Sequence, residues 1–598
     1  MAPARSDSRA FRKAAKSVRK GPSLFPDMEE AAPAAEEKPA RKAPPPAKAE
    51  KKAAEPTKTA SLGLASEKTE SDATEKPAPR HRRTAEQMAA MQREISVSEF
   101  FTKNRHLLGF DNPRKALLTA VKEGVDNSLD ACEEAGILPD IRVAISPIEN
   151  RDDRYKVTIE DNGPGIVPQQ VPRIFAKLLY GSKFHRMKMS RGQQGIGISA
   201  AGMYGQLTTG RATRIISKTA ARKKAYECEL LLDTRKNEPQ LVREQEIDWD
   251  RAHGTHVEMD MEAKYTRGRQ SVEEYLYQVS IANPHATIRF DPPEGEPFVL
   301  QRSTNDLPPE PREIKPHPLG IELGMLISML QTTKARTLSS FLHVDFTRVS
   351  TNVAKDICKR ANLPEGGKPS RVARQEADAL YNALQKTKLM KPPTDCVVPI
   401  GQDLLLKGLK RGVEADFYHT VTRPPAVYRG NPFQVEVGIA YGGQLPGDEP
   451  CRVLRFANRV PLLYQQSACV VTRAAATTAW RNYGIQQSQG QLPVGPLAIV
   501  VHIASVWVPF TSESKEAIAH YPEILKEMRL ALQECGRKLG TYVRHRRREA
   551  DAERKRQYIT KYIPHIGIAL KEILHLTDKE EKQVVDKLVD MLEKSRTM

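Results

Sequence analysis

Lys122–Ala131 reads KEGVDNSLDA, followed by EDNGPGI over Glu160–Ile166 and SRGQQGIGISAAG over Ser190–Gly202. The first stretch decides the fold. It reads as helix, with Glu123 and Asn127 four residues apart on one face and Asp130 three further on. A carboxylate so placed can take a proton from water attacking a phosphate, and an amide oxygen one turn away can hold Mg²⁺. Taken alone, the pattern equally fits the polar stripe of an amphipathic helix. Gly124 inside that helix costs about 1 kcal/mol relative to alanine. Close approach of a ligand or another backbone would explain it, and so would packing against a sheet.

In the second stretch Gly163 and Gly165 permit backbone conformations that a side chain forbids, leaving Asp161 free to accept a hydrogen bond from an exocyclic amine. Asn-Gly and Pro-Gly are also plain turn formers. The third stretch, Arg191-Gly192-Gln193-Gln194-Gly195-Ile196-Gly197, leads into a helix and offers a row of backbone N–H groups at its positive end. It lacks the Gly-Lys-Ser/Thr ending of a Walker A loop and the spacing of a dinucleotide fingerprint. Alone it also fits a flexible surface loop. In series the three describe an ATP pocket: a base with a metal ligand, an adenine anchor and a phosphate lid.

The chain has 598 residues, 39% hydrophobic and 28% charged, enough for about two to four soluble domains. No run approaches the roughly 18 apolar residues of a membrane span, and no apolar segment of a secretory signal follows the basic start. Seven scattered cysteines form no C-x-x-C pair and read as reduced thiols. A formal net charge of +19 favours a polyanionic partner, nucleic acid above all. Residues 1–94 are rich in Ala, Pro, Lys and Glu and poor in aromatics, which predicts a disordered basic tail. Helices are predicted within ISVSEFFTKNRHLLGF and over Pro113–Ala135, and strands at RYKVTIED, RIISKT, AYECELLLD and THVEMDME. A helical block follows from about Leu319. Strands return at FQVEVGIAYGG, CRVLRFANRVPLLY and GPLAIVVHIASVWVP. A long helix is predicted from near Ser514 past Arg548, then YIPHIGIALKEILHL, with a proline break near its start, and DKEEKQVVDKLVDMLEK as two tail helices.

The order and spacing of the motifs resemble the GHKL ATPase superfamily, with Gly254-Thr255 in AHGTHVEM standing where that superfamily carries a fourth motif. The resemblance implies Glu123 as general base, Asn127 as the Mg²⁺ ligand and Asp161 as the adenine reader. Asp130, Gly163, Gly165, the lid Arg191–Gly197 and Thr255 complete the expected ATP contacts. CRVLRFANRVPLLYQQSA, WVPFTSESKEAIAHYPEI, EFFTKNRHLLGFDNPRKALLTAVKEGVDNSLDA and SKFHRMKMSRGQQGIGISAAGMYG more closely resemble the B-subunit family of DNA topoisomerase VI. That likeness runs over roughly residues 95–545.

It implies an α+β protein of defined order. A disordered tail (1–94) precedes a GHKL (Bergerat) α/β sandwich with an N-terminal strap (95–316). A helix-two-turns-helix domain (317–393), a ribosomal-protein-like βαβ transducer (394–548) and a C-terminal helical tail (549–598) follow. Lys515 of SKEAIA would reach the γ-phosphate. ATP would pair two such chains, with the segment before Pro113 as an exchanged strap. The DNA-cleaving topoisomerase VI A subunit, a separate chain with the nucleophilic tyrosine and the Toprim domain, would cut double-stranded DNA for relaxation and decatenation in an A2B2 heterotetramer. Asp248-Trp249-Asp250 has the D-x-D form but not the Toprim setting, so no DNA cleavage is expected from this chain alone. The location implied is cytoplasmic and nucleoid-associated, or nuclear in a eukaryote. Some relatives add an immunoglobulin-like domain after the transducer, for which about forty to fifty helical residues are too few.

Three rivals stand beside this reading. A histidine kinase needs a phosphoacceptor helix where the tail stands. A MutL-like repair ATPase shares the ATP domain and transducer, but not the helical block between them. A non-catalytic scaffold would lose the glutamate, asparagine or glycines, all of which are present.

Overall fold

The structure is a computed structural model and describes residues 84–594 apart from Arg93, Asn150, Ser182, Phe184, His185, Gln193 and Gln194. Nearly all of the expected tail, and both lid glutamines, therefore lie outside the described residues. The unit Asp27–Ile95 contributes one short described helix, α1 (Ala85–Ala89). The other unit holds everything from Ser96 onward.

That unit opens with α2 (Val97–Lys103), capped by the Ser96 hydroxyl, and α3 (Pro113–Glu134). Asn112 Oδ1 accepts the Lys115 N–H at 2.9 Å, and Pro113 fills the first turn, where its missing donor is harmless. Leu117, Val121, Val125 and Leu129 recur every fourth residue and are buried. They face a sheet of β1 (Asp140–Ile148), β2 (Arg151–Asp161), β3 (Thr213–Lys218), β4 (Ala225–Asp233), β5 (Glu238–Ile247), β6 (Gly254–Glu262), β7 (Thr287–Asp291) and β8 (Phe298–Leu300). Its order is β5-β4-β3-β6-β2-β1-β7-β8, antiparallel except where β1 meets β7. With α3, the helices α4 (Val171–Phe175), α5 (Gly197–Thr209) and α6 (Val272–Ala282) complete this layer over one shared core.

Four helices follow: α7 (Leu323–Thr332), α8 (Leu338–Asp345), α9 (Thr351–Arg360) and α10 (Arg374–Lys386). They close on their own core around Leu326, Phe341, Ile357 and Leu380. Next come α11 (Gln402–Gly412) and a second sheet of β9 (Phe417–Thr422), β10 (Ala426–Tyr428), β11 (Asn431–Tyr441), β12 (Arg452–Ala457), β13 (Val460–Pro461) and β14 (Leu497–Ser505). α12 (Val470–Thr477) crosses between the parallel strands β12 and β14, a βαβ unit. All nine residues of β14 are buried, because α11 and α6 cover one face of the sheet and α13 (Pro522–Leu574) the other. The last helix is α14 (Asp578–Lys594).

The α+β class expected from the sequence is the one found. α1, α4, α6, α11, α12, β1, β5, β7, β8, β9 and β10 are additions to the predicted elements. The end of the chain differs. α13 is one helix of 53 residues, starting at Pro522 rather than near Ser514, and it runs through Pro564 where a break was predicted. Lys515 has a left-handed φ of 53° in a loop closed by a Phe510–Ile518 bridge, so helix cannot begin there. Proline inside a helix costs about 3 kcal/mol. Here the buried residues Ile563 and Gly567 flank it, and α14 packs back against that turn through Val585. The expected division at 548/549 falls inside this helix. All seven cysteines are buried free thiols. Among the described residues no helix is long and apolar enough to cross a membrane.

Candidate active site

Asp161 ends β2, directly paired with Thr255 at the start of β6. Its Oδ1 accepts the N–H groups of Gly163 at 2.9 Å and Thr255 at 3.2 Å, and its Oδ2 the Ser128 hydroxyl at 2.8 Å. The carboxyl is only 7% exposed, and burial pushes its pKa above the ordinary value despite these donors. Gly165 has a φ of 70°, and a Cβ there would stand 2.1 Å from the Lys218 carbonyl, so only glycine carries the chain past β3.

Glu123 and Asn127 share the inner face of α3, as predicted. Gly124 has the packing explanation: a Cβ would meet Ile159 Cδ1 at 2.2 Å, so the missing side chain lets α3 lie on β2. Gly197 starts α5, and a Cβ there would lie 1.8 Å from Glu123 Oε2. The Glu123 carboxylate thus occupies a notch at the N-terminal end of α5, where backbone donors and the helix dipole favour negative charge. Glu123, Asn127, Asp161, Gly165, Gly192, Gly195, Ile196, Gly197 and Thr255 all line one cavity of ≈ 660 Å³. That volume suits a small-molecule site.

Asp130, Gly163 and Arg191 are not on its wall. Gly163 acts through its N–H on Asp161. The Arg191 guanidinium, expected to face phosphate, instead contacts Asp130 at 2.8 Å, Glu133 at 2.6 Å and Asn283 at 2.5 Å. Asp130 also holds Lys183 at 2.6 Å. The cause is electrostatic: neighbouring carboxylates offset the cost of burying the guanidinium, and α3 supplies two of them just outside the pocket. Glu133 bonds His285 as well, at 2.7 Å, and is held well below the usual carboxylate range, with burial opposed chiefly by Arg191. Asp130 and Arg191 thus hold each other at the start of the lid, behind the cavity wall.

The opposite wall comes from the second sheet. Lys515 enters from the loop between β14 and α13, lines the cavity with Glu123, and directs Nζ toward the Arg191 carbonyl at 3.5 Å. Burial lowers its pKa, while Glu123 acts in the other direction. The next residue, Glu516, is 6% exposed and pairs with Lys115 of α3 at 2.5 Å. Lys115 also stands 5.3 Å from the ring centre of Tyr464, a further wall residue. Arg455 donates to the carbonyls of Tyr464 at 2.7 Å and Glu516 at 3.4 Å, tying both segments to β12.

The residues fit a nucleotide on two observations besides size. The missing Cβ at Gly197 leaves room for the Glu123 carboxylate on the cavity wall at the start of α5. Tyr464 Oη is buried on the cavity wall with no hydrogen-bond partner among the described residues. Ser128, Tyr464, Glu516 and Lys115 were not singled out from the sequence. Ser128, beside Asn127, was within reach of local reading; the others meet only through the fold.

Residues 112–236 match the family described as histidine kinase-, DNA gyrase B-, and HSP90-like ATPase. Residues 392–555 match that described as topoisomerase VI B subunit, transducer. The chain is 49% identical over 509 residues to the type 2 DNA topoisomerase 6 B subunit of Methanosarcina acetivorans, covering 85% of this chain and 82% of that one. The corresponding protein of Archaeoglobus fulgidus is 48% identical over 510 residues, 85% and 84% covered. That of Pyrococcus horikoshii is 37% identical over 546 residues, 83% and 94% covered. With matches to the ATPase and transducer families, and relatives matched over most of both lengths, the chain belongs to the B-subunit family of type 2 DNA topoisomerase 6.

Proposed function

We propose that this chain hydrolyses ATP in the cavity shared by α3, α5 and the Lys515 loop, and that this drives DNA strand passage carried out with a separate DNA-cleaving A subunit. One observation carries the reading: Lys515, from the second sheet, lines the same cavity as Glu123 from the first. Asp161 would accept the adenine amine, with Ser128 and two backbone N–H groups fixing its orientation. The backbone of Gly192 and Gly195–Gly197 would hold phosphate oxygens at the start of α5. Asn127 Oδ1 would hold Mg²⁺, an ion bound largely through substrate phosphates and water, which neutralises phosphate charge when present. Glu123 would take the proton of the attacking water as the bond from the terminal phosphorus to the ADP oxygen breaks. Lys515, a compact point charge, would contact the terminal phosphate and lose that partner once phosphate departs.

In this reading residues 95–316 bind nucleotide and pair two copies of the chain, and 394–548 transduce. The +19 charge and the Arg-rich stretch near Arg544–Arg548 favour DNA, and the tail helices of 549–598 offer surface to the A subunit. Glu123→Ala tests the chemistry. It should bind ATP as the wild type does and lose about 10²–10⁴-fold in turnover. Wild-type turnover in that variant would place the base elsewhere.

A further inference from the structure

The lid and the lysine loop approach the cavity from different sheets, and one side chain touches the root of both. Asn458 stands at the tight turn between β12 and β13 with a φ of 48°, followed by Arg459 at 68°. Asn458 Nδ2 donates to the Ser190 carbonyl at 3.0 Å and to the Ser505 carbonyl at 2.9 Å, while Oδ1 accepts the Ser505 N–H at 2.8 Å. Ser190 precedes Arg191, where the lid starts. Ser505 ends β14, the strand that leads into the Lys515 loop.

The turn is fixed from several sides. The Asn458 N–H donates to Ile503 O at 2.8 Å, and the Arg459 N–H to His502 Nε2 at 3.0 Å. The Arg459 carbonyl accepts Asn283 Nδ2 at 3.4 Å, and Asn283 in turn holds Arg191. Asn458 is 4% exposed, so water does not compete for its amide. Asparagine suits this place for two reasons. It tolerates left-handed backbone, and one planar group supplies two donors and an acceptor.

We infer that Asn458 is a positioning residue that joins the lid to the Lys515 loop, so that the two phosphate-facing segments engage and release the nucleotide together. This rests on the reading of Lys515 given above. Loss of the terminal phosphate would then reach the lid through Ser505, Asn458 and Ser190 rather than across the cavity. The adenine end, held by Asp161 and Ser128, makes no contact with this turn and should bind as before.

The test is steady-state ATP turnover by the full chain as wild type, Asn458→Asp, Asn458→Gly, Lys515→Ala and the two double variants. Aspartate keeps the acceptor for the Ser505 N–H and loses both donors; glycine keeps the backbone conformation and loses the amide. Each single change at 458 should lower kcat about 10-fold with the KM for ATP within about 2-fold. In the Lys515→Ala background the same change should cost less than about 2-fold, because the loop it positions no longer carries the ammonium. Thermal melts check that each variant is folded, and the glycine variant carries the test if the aspartate variant is not. Wild-type kcat at 458, a raised KM with kcat unchanged, or a full loss that persists without Lys515 each overturns the coupling. Lys515→Ala turning over like wild type would instead remove the sensor reading itself, and the coupling with it.

Discussion

At Gly197 one hydrogen stands where a methyl would lie 1.8 Å from a Glu123 carboxylate oxygen. Gly197→Ala should therefore push the carboxylate out of its notch while leaving α5, for which alanine is the better helix former, intact. A displacement of about 1 Å at a reacting group costs about 10²-fold in rate. We expect a kcat lowered by about that factor with an unchanged melting temperature; wild-type kcat in a folded variant would show that Glu123 does not depend on the notch. Arg191 teaches the converse lesson. A basic residue beside a glycine-rich turn reads as a phosphate ligand, yet its carboxylate partner Glu133 lies 58 residues away and its amide partner Asn283 lies 92 away. Those partners claim the guanidinium, and nothing in SRGQQGIG announces them.

Among the elements, β6 carries a charge-pairing device beside the Asp161 wall of the cavity. His256 Nδ1 lies 3.0 Å from Glu160 Oε2, and its Nε2 3.0 Å from Glu258 Oε1. Burial disfavours the imidazolium, but the two carboxylates outweigh it and raise the His256 pKa above its ordinary 6.5. Glu258 is pulled down to about 2, first by its bond to His256. For a histidine whose folded pKa is raised, the stabilisation is complete below the unfolded value and is lost as pH rises through the folded one. The melting-temperature advantage of wild type over His256→Asn should thus be largest below pH 6.5 and shrink above it. Parallel melting curves across that range would show that the histidine is not charged in the fold. The elements themselves were legible wherever pattern and punctuation agree: Pro113 opens α3, and the alternating AYECELLLD is β4 residue for residue. They were illegible where tertiary packing decides. Pro564 reads as a stop, yet α13 runs through it, next to the turn where α14 packs back. The apolar DIRVAISPI of β1 gains its meaning from pairing with β2 and β7.

The whole molecule places two sheets around one cavity, so the site could be only half read from sequence. Glu123, Asn127 and Asp161 declare themselves within short motifs on the first sheet. Lys515 is one lysine of many until the resemblance picks it out. Tyr464, Glu516 and Lys115 have no local signal, because each matters only through a partner on the other side of the cavity. The Lys115–Glu516 pair at 2.5 Å fixes the loop next to Lys515 against the helix that carries Glu123, and that contact turns two domains into one site. A crystal structure of the chain with Mg²⁺ and a non-hydrolysable ATP analogue tests this most directly. Asp161 should lie at hydrogen-bond distance, about 2.6–3.2 Å, from the adenine amine, with Lys515 Nζ at the terminal phosphate. A nucleotide bound elsewhere, or a Lys515 turned away from the phosphate, would contradict it.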